Sequence, residues 1–392
     1  MPLALSGFQR CRRRVLPCLA ALGVCQLGAC GGDGFPERQV GDDTCGAGPY
    51  FTVLPVSPVD IDMIAVIGGL GAPGHTLPTA HSGFLLAREG VPVLSPGLMG
   101  ITAVRRVTYL SSPVREGETD FALHFRVCRD VEGWFGHLTS LGTAIPQPDA
   151  GDCQTYSTAD ETVETCTTTV ANVTVTAGQP LGTGGLSADR GLLGLDFGLT
   201  DARVSNFYVT PSRHPDVTLH AVCPYEYFDA ANQATLLAKI RDPARPTESP
   251  SGEPRCGTME VDVAGTAKGV WAENGVFGPV SGDETRYITL ADYPYRPQER
   301  LALSLGPSLL GAKVAVTGRA TSGRVNRAFE DVSGDGLIYC YAGDTGLESW
   351  LLSLDADGFL TIERIAHATG AGPCAEDPSS WGFGGGALTL VR

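Results

Sequence analysis

Short runs in which apolar and polar residues alternate fill most of this chain. Those at 62–67, 83–87, 91–94, 101–110, 121–127 and 134–138 are rich in Val, Ile and aromatic residues and are punctuated by Gly and Pro. That pattern predicts antiparallel strands. Residues 196–209 supply the last strands of this first unit. A second series, at 285–291, 300–305, 313–317, 337–341, 349–354, 359–365 and 387–391, predicts another all-β unit, a barrel or sandwich. One helix is expected at 229–241, where Leu236, Leu237 and Ile240 share a face, Asp229 caps the start and Pro243 ends it. The chain therefore reads as mainly β. An antiparallel groove-type sheet domain occupies 50–241, with a Thr-, Ala- and Gly-rich insertion at 142–192 expected to roof the groove. A polar, Pro-rich linker follows at 242–255 and a C-terminal all-β domain at 256–392.

The first 29 residues read differently. Arg10, Arg12, Arg13 and Arg14 precede an apolar run at 15–27 that is too short to span a membrane. Leu27-Gly28-Ala29-Cys30 resembles a bacterial lipobox. The expectation is cleavage before Cys30, a lipid on its thiol, and a flexible tether at 30–49 leading to the first domain. Asp33 does not directly follow Cys30, which favours the outer over the inner membrane of the cell envelope. The leader holds four of the 28 basic residues and none of the 43 acidic ones, leaving a formal charge of −19. Such a surface repels nucleic acid. Eight cysteines remain beyond Cys30: Cys45, Cys128, Cys153, Cys166, Cys223, Cys256, Cys340 and Cys374. An even set without a C-x-x-C pair predicts disulfides in an oxidising compartment, with Cys153–Cys166 and Cys340–Cys374 the most local pairings.

Candidate chemistry centres on Gly74-His75-Thr76-Leu77-Pro78-Thr79-Ala80-His81-Ser82-Gly83-Phe84. Two of the seven histidines fall in one proline-stiffened loop between strands, suited to a metal or polar ligand or to capping backbone groups. His214 and His220 read as structural or solvent-facing. The G-x-G-x-x-G at 69–74 lacks a following helix, since Pro73 and Pro78 forbid one, so no dinucleotide site is expected. Asp331-Val332-Ser333-Gly334-Asp335-Gly336 begins like a calcium loop, but Ala342 stands where a bidentate Glu is needed, so it reads as a turn. Trp271 reads as a core plug. No G-x-S-x-G or phosphate loop occurs.

His81-Ser82-Gly83-Phe84, Val93-Leu94-Ser95-Pro96-Gly97-Leu98-Met99-Gly100-Ile101, Phe135-Gly136-His137-Leu138 and Gly194-Leu195-Asp196-Phe197 occur in an order that resembles the lysostaphin-type zinc endopeptidases of peptidoglycan cross-bridges, the duplicated hybrid motif fold. The resemblance spans roughly residues 50–228. It implies a groove where His81, His137 and Asp196 converge, with His75 at the rim. It also implies zinc ligands at His81, at position 85 and at Asp196, and a supporting role for His137. Leu85 cannot bind zinc, and Gly194 stands where that family has a catalytic His. The implied protein is a lipid-anchored envelope module with a non-catalytic, peptidase-like domain binding cell-wall glycan or peptide or a partner protein. The alternative is a zinc hydrolase whose site is rebuilt from His75, His81 and Asp196, with His137 catalytic.

Overall fold

Alternation of inward apolar and outward polar residues builds the first of two antiparallel sheets. The computed structural model describes residues 40–392 except 42, 73, 149–152, 158–160, 188–191, 249, 277–279, 281–283, 312, 345 and 368–371. The leader and Cys30 lie outside the described residues. In the first sheet, β1 (Ile61–Ala65), β2 (Ser82–Leu86), β3 (Val91–Leu94), β4 (Met99–Ser111), β5 (Thr119–Cys128) and β6 (Val131–Leu141) are followed by β7 (Cys153–Ser157), β8 (Thr162–Val175), β9 (Pro180–Gly184), β10 (Leu186–Ser187) and β11 (Leu193–Asp201). The main order is β1-β2-β11-β6-β5-β4-β8-β7, with β3 and β9 paired to each other and β9 also joined to β6.

The inner face buries Phe84, Leu123, Phe125, Phe135, Leu195, Phe197 and Leu199. Phe135 and Phe197 stack with centroids 4.6 Å apart and planes within 9°. Burial of such aromatic area is the main drive for this sheet.

Within the insertion at 142–192, Tyr156, Glu161 and Val163 line one side of the groove. The insertion's hairpin β7–β8 pairs edge-on with β4 and so lengthens the sheet. The reason is the threonine-rich run in β8, whose β-branched residues favour a strand against an open edge.

The second sheet comprises β12 (Gly269–Glu273), β13 (Tyr287–Asp292), β14 (Arg300–Leu305), β15 (Lys313–Gly318), β16 (Tyr339–Ala342), β17 (Glu348–Leu354), β18 (Leu360–Ala366) and β19 (Leu388–Val391). Two meanders join through β12 and β19, in the order β15-β14-β13-β12-β19-β18-β17-β16. Trp271 is 2% exposed within its apolar cluster and donates its indole N–H to the Ala267 carbonyl.

The stretch 242–255 is pinned to this sheet. Asp242 accepts from Tyr293, Arg245 pairs with Asp344, and Ser251 donates to Glu299. The first sheet's apolar cluster also takes in Tyr293, Tyr295, Ala302 and Val316. The helix Ala230–Leu237 is capped by Asp229, whose carboxylate accepts from the amides of Ala231 and Asn232. Four disulfides join Cys45–Cys128, Cys153–Cys166, Cys223–Cys256 and Cys340–Cys374, including both local pairings expected from spacing.

Candidate functional site

The outer face of the first sheet is a groove of about 980 Å³, lined by β4, β5, β6, β11 and the loop carrying His75. Its floor is low because small residues occupy it. Asp196 sits opposite Gly83 on one side and Gly136 on the other. A Cβ at Gly136 would come within 3.1 Å of the Asp196 carboxylate.

His137 enters the groove through a bulge. Between the pairs Leu123–Phe135 and Phe121–Leu138, two residues of β6 oppose one of β5. His137 carries a φ of 62°, left-handed for a non-glycine residue. The bulge turns the imidazole so that both ring nitrogens meet carboxylates. Nδ1 lies 2.5 Å from Asp120 and Nε2 lies 3.3 Å from Asp196. Asp196 also approaches His81 Nδ1 at 3.5 Å. The His81 ring lies edge-on to His75, with centroids 5.6 Å apart. At the other end Tyr109 donates to Asp120 at 3.0 Å. One polar chain thus runs Tyr109, Asp120, His137, Asp196, His81, His75.

The histidines at 81 and 137 and Asp196 therefore converge, and His75 lies exposed at the rim. The rim loop is fixed from the second sheet: Glu284 accepts from the Leu77 amide and Thr289 donates to the Thr76 carbonyl. Sequence reasoning missed Asp120, Tyr109, Trp134, Arg105, Arg115 and Glu161. Asp120 is 2% exposed. Arg115 clamps Glu161 through two bonds of 2.9 Å and stacks 4.1 Å above the Tyr109 ring, making a side wall. His220 lines the far end of the groove, whereas His214 is buried against Tyr208.

Burial alone would lower the His137 pKa, but Asp196 and Asp120 outweigh it and raise it to about 9. His137 is then an imidazolium at neutral pH: a fixed donor and cation that cannot accept a proton. Burial would raise the Asp196 pKa, but His81 and His137 hold it below the usual carboxylate range. Desolvation by the groove wall and the neighbouring His81 lower the pKa of His75. His75 is exposed, so water limits the desolvation part of that effect.

A zinc site needs three protein donors about 2.0–2.2 Å from one ion. No three of His75, His81, His137 and Asp196 bring donor atoms within 4.8 Å of one another; among the described residues only Cys153, Glu164 and Cys166 do. Those cysteines are joined to each other in a disulfide. Both nitrogens of His137 are committed to carboxylates, and Leu85 fills the remaining position the resemblance assigned to a ligand. The donors present do not fit zinc.

No protein-family model and no curated protein matches the chain. The chain aligns with the NMR solution structure of lysostaphin over 80% of its own length and 90% of that chain, at 10% identity and a TM-score of 0.25.

Proposed function

We propose that this is a lipid-anchored cell-envelope protein whose groove binds the peptide-bearing strands of peptidoglycan without cleaving them. One observation supports the reading above others: an open groove whose floor is a mutually satisfied carboxylate–imidazole chain, without a convergent ligand triad of His75, His81, His137 and Asp196 among the described residues. Such a floor recognises polar chains and leaves no activated water to attack them. Trp134, half-buried beside His81 with ring centroids 6.3 Å apart, offers an apolar surface to the same ligand.

The test is co-sedimentation of the protein with purified sacculi. Binding without release of soluble fragments is expected, and Trp134→Ala should weaken it while leaving the melting temperature near wild type. Absence of binding would overturn the reading. So would stoichiometric zinc together with cell-wall hydrolysis, both lost in His81→Ala, because that outcome restores the peptidase. The anchor has its own test: Cys30→Ser should release the protein from the membrane fraction.

A further inference from the structure

Beside the carboxylate–imidazole chain, the groove floor carries a second cluster of opposite character. On β5, His124 pairs across the sheet with Ala103 on one side and Trp134 on the other. Arg105 lies two residues further along β4, opposite Ala122. All three side chains line the groove. Arg115 is paired with Glu161 and Arg126 with Glu132, while Arg129, which also lines the groove, donates to the Thr44 hydroxyl. Arg105 has no hydrogen-bond or ion-pair partner among the described residues, and its Nε is buried. The Nε2 of His124 is likewise buried and has no hydrogen-bond partner among the described residues. Buried donors left unmatched in a native fold call for a specific explanation, and one is a ligand that completes them. The Trp134 indole packs directly on the Gly198 backbone, where a Cβ would come within 2.1 Å of the ring. Glycine there lets the ring settle on the groove floor.

We propose that Arg105 and His124 form a carboxylate-binding subsite of this groove, with Trp134 as the platform for the chain adjoining that carboxylate. The ligand class is a peptide stem with a free carboxylate, which rests on the reading of the groove given above. Arg105 supplies the charge and a planar fork matched to a carboxylate. His124 supplies a neutral donor, because burial and the adjacent Arg105 charge lower its pKa to about 4. The chain is acidic overall, with a formal charge of −15. An anion is therefore drawn in by this local pair and not by the general field.

The test is calorimetric titration of the full chain, in detergent, with two soluble probes. One is a disaccharide–tetrapeptide with free carboxylates, and the other is the same molecule with its carboxylates amidated. The wild type should prefer the acid by on the order of tenfold or more, the usual gain for a charged hydrogen bond. Arg105→Gln should erase that preference, and Arg105→Lys should restore part of it. Binding of both probes by the wild type without preference overturns the subsite and leaves the groove reading standing. So does a preference that survives in Arg105→Gln. Binding of neither probe overturns both. The acid–amide comparison in the wild type needs no variant, so a misfolded variant cannot mask the answer.

Discussion

Deprotonating His137 should weaken the fold, and the size of the effect can be worked from its surroundings. Its pKa rises from 6.5 to about 9 because two carboxylates flank the ring. A shift of that size corresponds to about 3 kcal/mol of stabilisation when the group is charged. The side chain is 24% exposed, so solvent screening trims this to about 1–3 kcal/mol. The sign follows from the direction. With the folded pKa raised, the contribution is fully present below pH 6.5 and is lost as pH climbs through about 9. Asp196 acts in the opposite sense: its pKa is depressed on folding, so its contribution is present above its ordinary value of 3.8 and lost as pH falls through the folded one. The pair should therefore stabilise most between about pH 4 and 6.5. The assay is urea unfolding at pH 6 and pH 9.5, for wild type and His137→Asn. Asn tolerates the left-handed backbone at this position, so the substitution removes the charge without adding strain. The wild type should lose about 1–3 kcal/mol more than the variant between the two pH values. An NMR titration of the His137 ring at or below pH 6.5, or equal pH dependence in the two proteins, would refute the reasoning.

Further outcomes follow from the packing, the hydrogen bonds and the disulfides. Phe197→Ala removes a ring buried at 0% exposure and stacked on Phe135, and should cost about 3–5 kcal/mol in chemical denaturation. Asp242→Ala leaves the Tyr293 hydroxyl and the Ala244 amide without their acceptor and should cost about 2–4 kcal/mol, read from thermal unfolding. Peptide mapping without reductant should recover all four disulfides. Removing Cys45–Cys128, separated by 83 residues, should cost about 4–5 kcal/mol against about 3 for Cys153–Cys166, separated by 13.

The strands were legible because a period of two survives wherever one face is buried, as at Leu123 and Phe125 or Leu195 and Phe197. The helix was legible from Asp229 and its apolar face. The strand β8 was not, although its run of threonines was in view. Threonine is polar by composition and strand-forming by shape, and the first property hid the second. The convergence of His81, His137 and Asp196 came from the order of motifs, not from spacing. Asp120 was missed because a carboxylate within an alternating strand reads as solvent-facing. Only the bulge that swings His137 over it, together with Tyr109 from the neighbouring strand, turns it into a buried partner. A left-handed residue in a bulge leaves no mark in the sequence unless it is glycine.

The two faces of the first sheet make opposite demands on the same strands. The inner face needs bulk, and Phe84, Phe135 and Phe197 supply it. The outer face needs space, and Gly83, Gly136 and Gly198 supply that from within the same three strands. Glycine weakens a strand, so its use at these positions is a cost offset by the aromatic residues one step away. A methyl group at 136 would press on the Asp196 carboxylate, and one at 198 would displace Trp134. The first presses on a carboxylate and the second on an aromatic ring, so each would disturb one of the two clusters on the groove floor. The glycines are therefore part of the recognition surface, because they set its depth.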